Sequence, residues 1–336
     1  ILCAYFLSLS GFEVSIIDSN SKIMSDASSV PIAIVRPYFS PKDIVYNQFL
    51  FCTFLFASNF YKHLKNTNLK TGIKKHESIF VPNKNFKFGI FFEKLLSEKK
   101  FINFYDNDFV NRQNFLLKNN FSINTKNFRE VMYENLKEKV EFKLGVKIEK
   151  INRKGKKYEL FHQDGAITKT DIVVYAGGFK SSTTFLENSN LLKPSYGQQD
   201  YIEPFCGLSY PYMGKIYVNK INSKKFIIGT SYHDGVDDDR YKANDSLIFE
   251  KKIKKFFRNI EYKNKGSWSS ARSITPDRRP LFGELKPNYF VATGLGSKGF
   301  TLSPTLAFLI TKKIQGVDLF GLNQFSKIDA KKHKKT

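Results

Sequence analysis

The chain has 336 residues, 41% of them hydrophobic and 25% charged, enough for one large or two ordinary domains with a core, which excludes a peptide, wholesale disorder and a membrane-embedded bundle. Its 54 basic and 31 acidic residues leave a net charge of +23, and 45 of the 54 are Lys. An AT-rich coding sequence favours Lys, Phe, Asn and Ile, but it does not explain why Asp and Glu are so few, so a polyanionic partner stands beside codon bias.

The chain starts at Ile1, inside an apolar run, and reads as a fragment that lacks its true N-terminus. Leu2 to Leu9 predicts an apolar helix closed by Gly11, and Phe12 to Ile17 alternates as a strand ending in Asp18. Helix, glycine, strand and terminal acid make the second half of a dinucleotide-binding βαβ unit, whose acid bonds an adenosine ribose and whose glycine turn would precede Ile1. An apolar helix before a strand is also common elsewhere, and an acid at a strand end is often just a turn residue. Ala27, Ser28 and Ser29 follow in a loop small enough for a phosphate or ring system to approach the backbone. Long helices are expected over Ile44 to His63 and Asn124 to Lys139, with short strands and turns between them.

Glu141 to Ile151 reads as a strand pair with Val146 after Gly145, and Lys157 to Thr168 as a hairpin turning at Asp164 and Gly165. Asp171 to Gly178 is a short buried strand ending in Gly177 and Gly178, where a backbone can pass close to a ligand. Lys193 to Pro204, Met213 to Lys220 and Lys224 to Asp245 read as successive strands separated by turns, followed by a basic amphipathic helix over Lys251 to Arg258. Last come WSSARSITPDRRPLFGEL, a strand NYFVATG, and LGSKGFTLSPTLAFLITKKI. Here Gly294, Gly296 and Gly299 form a tight turn opening an apolar helix from about Ser303, which presents free amides and a positive dipole end to an electron-rich group. Cys3, Cys52 and Cys206 show no CxxC spacing, so neither a disulfide framework nor a metal site is expected and a reducing cytoplasm fits. The most apolar stretch, Phe49 to Phe60, is interrupted by Thr53, Ser58 and Asn59 and is too short for a membrane span.

Taken together, ARSITPDRRPLFG, GLGSKGFTLSPTLAFLI and FIIGTSYHDGVDDDRY resemble the FAD-dependent D-amino-acid-oxidase and glycine-oxidase superfamily. Within it the chain is most similar to the C-terminal oxidoreductase half of the MnmC family, bifunctional enzymes that make 5-methylaminomethyl-2-thiouridine in tRNA. Its motifs are met by Ala27, Ser28, Pro37 and Ser40; by Gly197 and Gln198; by Gly229, Ser231, Tyr232 and His233; by Arg272, Asp277, Arg278, Pro280 and Gly283; and by Gly296, Ser297, Lys298 and Gly299. Ser29 and Val30 stand where the family commonly has Gly-Asn, Lys298 stands where it has Arg, and the tail SKIDAKKHKKT departs from its usual ending.

The resemblance implies an α/β fold: an N-terminally truncated, Rossmann-like FAD-binding domain in three parts (1–40, 121–192, 271–323), interleaved with an α+β substrate domain on a mixed or antiparallel sheet (41–120, 193–270), and a basic tail (324–336). It implies FAD as cofactor, held by Asp18, Ala27, Ser28, Ser29, Val146, Gly177, Gly178, Gly294, Gly296, Ser297, Lys298, Gly299 and Phe300. It also implies a reaction: oxidative removal of the carboxymethyl group of 5-carboxymethylaminomethyl-(2-thio)uridine at the tRNA wobble position, leaving the aminomethyl group and glyoxylate. Arg272 is the expected catalytic clamp on the carboxylate, because a guanidinium gives orientation as well as charge, with Tyr232 as a neighbouring hydroxyl. His233, in a turn beside Asp234 and Gly235, is expected to be structural, and Arg278 and Arg279 to brace the flavin loop or meet phosphate. tRNA is the expected partner, through Lys251 to Lys265 and Lys331 to Lys335, with a fused or separate S-adenosylmethionine-dependent methyltransferase and a cytoplasmic location. A small-molecule glycine, sarcosine or D-amino-acid oxidase and an inactive tRNA-binding module remain as alternatives. A NAD-dependent dehydrogenase is disfavoured by the GLGSKGF turn.

Overall fold

The computed structural model describes residues 1–39, 44–66, 70–82, 89–105, 114–186, 191–203, 210–257 and 260–317. Ser40, Cys206, Arg258 and the tail lysines lie outside them. The chain opens with helix α1 (Leu2–Leu9), strands β1 (Val14–Asp18) and β2 (Ile32–Val35), helix α2 (Ile44–Lys65) and β3 (Ile73–Phe80). Helix α3 (Ile90–Ser97), β4 (Ile102–Tyr105), β5 (Asn114–Asn124), α4 (Thr125–Leu136) and β6 (Val140–Leu144) follow. Next are β7 (Ile148–Lys154), β8 (Lys157–His162), β9 (Ile167–Thr170), β10 (Val173–Tyr175) and the short α5 (Ser182–Phe185). The last part holds β11 (Lys193–Glu203), β12 (Tyr212–Met213), β13 (Tyr217–Lys220), β14 (Phe226–Gly229), β15 (His233–Asp234) and α6 (Ala243–Phe256). It ends with β16 (Lys263–Ile274), β17 (Leu281–Lys286), β18 (Tyr289–Thr293) and α7 (Gly299–Ile314).

These elements form two compact, interleaved units: Ile1–Ser29, Arg129–Ser195 and Arg272–Thr336 make the first, and Val30–Phe128 with Tyr196–Ala271 the second. The first crossing falls at Ser29 and Val30 because β2 hydrogen-bonds antiparallel to β5, register Ile32 to Asn124. In the first unit β1 runs parallel to β6, β10 runs parallel to β18, and β17 returns antiparallel beside β18. Gly11 takes φ 81° just past α1, the left-handed conformation that lets the chain reverse into β1. Helices α1 and α7 meet edge to face through Phe6 and Phe308, ring centroids 5.7 Å apart. A second apolar cluster joins Tyr158 and Leu160 of β8 to Val173, Leu281, Tyr289 and Val291.

The strand pair expected over Glu141 to Ile151 does not pair with itself. Strand β6 joins β1, whereas β7 starts a separate antiparallel sheet with β8 and β9. Among the helices, α3 and α5 were not anticipated, α6 begins at Ala243 rather than Lys251, and α7 begins at Gly299 rather than Ser303. The polar first turn of α6, Asn244 to Ser246, hides its start from apolar periodicity, and in α7 Gly299 and the Pro304 after Ser303 read as a turn rather than as helix.

The second unit is built on a mixed ten-stranded sheet whose main path runs β15-β11-β14-β13-β12-β3-β5-β2. Helix α6 packs Phe249, Ile253 and Phe256 against Ile202, Val218, Phe226 and Ile228 on one face of that sheet. Side chains alternate across a strand, so Gln199, Tyr217 and Asn219 lie on the opposite face.

Candidate functional site

In the first unit the end of β1 is tied to the turn after β6. Val146 N donates to Asp18 O (3.0 Å) and Gly145 N to Asn20 O (2.9 Å). Asp18 Oδ1 accepts both the amide and the side chain of Asn20, at 2.9 and 3.0 Å. Asn20 also reaches Asp26 Oδ2 (3.4 Å), and Asp26 Oδ1 accepts from Lys180 Nζ (3.0 Å). This chain of contacts brings together three places that sequence reading treated separately: Asp18, the Asp26–Ser29 3₁₀ turn, and the segment just after Gly177 and Gly178. Asn20, Asp26 and Lys180 were not singled out in the sequence, and no motif marks them.

The hydroxyl of Ser29 donates to Asp26 O (2.7 Å), so it closes the turn rather than facing outward, while Ser28 is exposed. A Cβ on Gly177 would lie 2.5 Å from Ser181 Oγ and 2.9 Å from Tyr175 Cε2, so its own neighbours already demand glycine there. Gly178 takes φ 74°, and its carbonyl accepts from Tyr175 Oη.

The glycine turn before α7 separates two kinds of glycine. Gly294 sits at φ 71°, and a Cβ there would meet Thr275 Cγ2 at 2.9 Å and Leu192 Cδ2 at 3.2 Å; Gly296 sits at φ 55°. Gly299 has an ordinary helical φ of −50°, and a Cβ there would come no closer than 4.0 Å, to Leu295. Neither backbone nor packing requires glycine at Gly299, which leaves space for a ligand at the start of a sixteen-residue helix with no side-chain N-cap. Ser297 and Phe300 flank it. Two buried hydroxyls, Thr301 Oγ1 and Ser273 Oγ, have no hydrogen-bond partner among the described residues. Buried polar atoms are rarely left so. Ser273 Cβ lies 3.9 Å from the position a Cβ would take on Gly178.

Lys298 donates from Nζ to Arg278 O (3.1 Å), and Arg278, at φ 62°, donates its amide to Thr275 O (3.1 Å). Thr275 Oγ1 in turn donates to Arg279 O (2.5 Å). Lys298 thus holds the 275–280 loop against the glycine turn. Arg272 is 8% exposed near the end of β16, the strand that leads into that loop.

In the second unit Tyr232 is 52% exposed, in the loop after β14. Gln198 grips that loop: its amide donates to Ser231 Oγ (3.0 Å) and its carbonyl accepts from Ser231 N (3.4 Å). The Gln198 side chain takes Lys242 N and Tyr196 Oη on Oε1, and gives Nε2 to Asp200, Lys242 O and Ser246. His233, expected to be structural, pairs with the buried Asp245.

Sequence reading missed a row on the sheet face away from α6. Gln199 and Tyr217 are both registered with Gly229, one from each side, so their side chains share a face with a gap between them. Gln199 Oε1 and Tyr217 Oη are enclosed and have no hydrogen-bond partner among the described residues. Asn219, on the same face two residues from Tyr217, donates its side-chain nitrogen to Ser122 Oγ (2.8 Å) and accepts from the Lys220 amide at Oδ1 (2.7 Å). Burial pushes the Tyr217 phenol above the ordinary tyrosine range, and the neighbouring Asn219 side chain and then the Arg36 charge work the other way. Arg36 lies over the Tyr38 ring at 4.2 Å, and no carboxylate among the described residues lies within ion-pair distance of it. In sequence this row looks like ordinary strand alternation; only the register exposes it.

A parallel-stranded unit with an acid ending one strand, a glycine turn opening a helix and partnerless buried hydroxyls beside it defines a dinucleotide-cofactor protein. The FAD dependent oxidoreductase family (DAO) matches residues 1–313, and the chain belongs to that family of FAD-using flavoproteins. Among curated relatives, the tRNA 5-methylaminomethyl-2-thiouridine biosynthesis bifunctional protein MnmC of Acinetobacter baylyi is 23% identical over 94% of this chain and 51% of its own length. The protein of the same description from Idiomarina loihiensis is 25% identical over 47% of this chain and 28% of its own length. The chain therefore spans about half the length of the longer match. Glycine oxidase from Geobacillus kaustophilus shares the fold at a TM-score of 0.82 and 16% identity, covering 96% of this chain and 94% of that one. L-proline dehydrogenase from P. horikoshii does so at 0.78 and 13%, covering 99% and 94%. Among the described residues no helix is long and apolar enough to cross a membrane, and no cluster of three or more metal-ligating side chains occurs.

Proposed function

We propose that the protein removes the carboxymethyl group from 5-carboxymethylaminomethyl-(2-thio)uridine at the tRNA wobble position, leaving 5-aminomethyl-(2-thio)uridine and glyoxylate. The observation that carries this reading is similarity over 94% of the chain to a relative named for tRNA modification. The net charge of +23 supports it, since a polyanionic substrate is held mostly through phosphate. Bound FAD would supply the two-electron acceptor. The FAD-holding residues are those of the first unit: Asp18, Ala27, Ser28, Ser29, Val146, Gly177, Gly178, Gly294, Gly296, Ser297, Lys298, Gly299 and Phe300. Of these, Ser29 and Lys298 contribute by fixing their loops.

The chain's own task is orientation of a carboxylate and an amine. Arg272 is assigned to the carboxylate, where bidentate geometry fixes the carbon to be oxidised, and Tyr232 keeps its expected hydroxyl contact. In the second unit Tyr217 and Gln199 are assigned to polar groups of the substrate: the phenol donates to an oxygen acceptor and Gln199 Oε1 accepts an N–H, which gives both orphan atoms a partner. Lys251 to Lys265 remain assigned to phosphate contact. The reaction belongs in the cytoplasm, beside a methyltransferase, fused or separate, that takes the product amine.

Glycine oxidase is the second reading, favoured by the TM-score of 0.82. The test is incubation of the FAD-loaded protein with tRNA carrying the carboxymethylaminomethyl group, followed by nucleoside mass spectrometry and glyoxylate assay. Conversion to the aminomethyl nucleoside is expected. Unchanged tRNA with rapid peroxide formation from glycine would replace the reading by the second one, and a full-length protein that takes up no FAD would remove both.

A further inference from the structure

We infer that the β7–β8 hairpin of the first unit is a docking point for the phosphate backbone of a structured RNA, an inference that rests on the tRNA reading above. The hairpin turns through Gly155, at φ 62°, and Lys156, so that Arg153, Lys154, Lys156 and Lys157 surround the tip. All four are exposed, as are Lys147 and Lys150 on the approach, with Glu149 the one acid between residues 147 and 157. Among the described residues Lys157 alone of these six basic residues has a carboxylate in ion-pair range, Asp171 at 3.5 Å, itself exposed.

Coding bias explains lysine in general, but it does not explain this arrangement. Lys154 and Lys157 are direct cross-strand partners, and like charges placed opposite one another oppose strand pairing. Arg153 beside them is one of only nine Arg in the chain. A tip that concentrates repulsion is stabilised when a polyanion covers it.

The tip is also held rigidly from below. Tyr158, paired with Arg153, is 2% exposed and donates its hydroxyl to Pro287 O (2.8 Å), and its ring lies 5.6 Å from that of Tyr289. The hairpin base belongs to the apolar cluster of the first unit, while the charged end projects into solvent. A preformed basic ribbon loses little freedom on binding, and contacts to phosphate position a nucleic acid without reading its sequence.

The test compares the full-length holoenzyme with a variant carrying Arg153→Gln, Lys154→Gln, Lys156→Gln and Lys157→Gln, and with a control carrying Lys62→Gln, Lys65→Gln, Lys74→Gln and Lys75→Gln. Binding of unmodified tRNA is followed by anisotropy from 50 to 200 mM salt. The hairpin variant is expected to bind at least about tenfold more weakly, with a slope of log Kd against log salt reduced by about 2–3, while the control changes less than about threefold. An unchanged visible FAD spectrum and a Tm no lower than that of the wild type report that each variant is folded. Equal loss in both variants would reduce the effect to net charge and overturn the inference. So would unchanged tRNA binding by the hairpin variant, with or without lost binding to phosphatidylserine vesicles. If hairpin-dependent tRNA binding is found but no modified tRNA is converted, the proposed reaction fails and the docking inference stands. If tRNA is converted and the hairpin variant binds normally, only the inference falls.

Discussion

His233 Nε2 faces both carboxylate oxygens of Asp245, at 2.9 and 3.1 Å, joining the loop that carries Tyr232 to the first turn of α6. The Asp245 side chain is 3% exposed and that of His233 is 40% exposed, so the two ends of the pair are unequal. Removing the imidazole strands a buried carboxylate, whereas an amide in place of the carboxylate still accepts from it. His233→Ala is therefore expected to cost about 1–3 kcal/mol in urea unfolding and Asp245→Asn less than about 1 kcal/mol. Equal costs would contradict the asymmetry.

The two kinds of glycine before α7 make separable predictions. Gly294→Ala places a side chain at positive φ within 2.9 Å of Thr275 and is expected to destabilise the protein by about 2–4 kcal/mol. Gly299→Ala meets no such neighbour and is expected to leave stability unchanged or raise it by up to about 1 kcal/mol. Its effect is instead on cofactor: FAD affinity, measured by titrating the apoprotein, is expected to fall at least about tenfold, or about 1.4 kcal/mol.

Tyr217→Phe removes an enclosed hydroxyl that has no partner among the described residues. Without ligand the variant is expected to be more stable by about 1 kcal/mol, because a desolvated polar atom is gone. Substrate turnover is expected to fall by about 10- to 100-fold in kcat/KM, the worth of a hydrogen bond to a charged group. A gain in Tm with unchanged kcat/KM would mean that the hydroxyl is a packing fault rather than a substrate contact.

His76 makes stability depend on pH. Burial lowers its pKa below 6.5, and the neutral ring accepts from Ser122 Oγ at Nε2 (2.7 Å) while Nδ1 donates to Glu77 O (2.9 Å). Below pH 6.5 the unfolded chain binds the proton more readily than the folded one, so the stabilisation present above 6.5 is lost as pH falls toward the depressed folded value. His76→Gln is expected to flatten the fall of Tm with pH in that window. A parallel fall in wild type and variant would assign the acid sensitivity elsewhere.

The sequence by itself determined the elements with strong period or punctuation. Gly11 marked the end of α1, Asp164 and Gly165 the β8–β9 turn, and the short apolar run within NYFVATG a strand, because each is a local signal. Local signals also placed Asp18 at a strand end and glycines before α7. They could not say that Gly177 is required by Tyr175 and Ser181 while Gly299 is required by nothing in the chain, since both are simply glycine in sequence. Nor could they show β6 and β7 parting into different sheets, Gln198 holding two distant segments, or Gln199 and Tyr217 flanking Gly229. Those are matters of strand register and burial, which depend on residues far apart in the chain meeting at a fixed distance, and only the tertiary structure decides them.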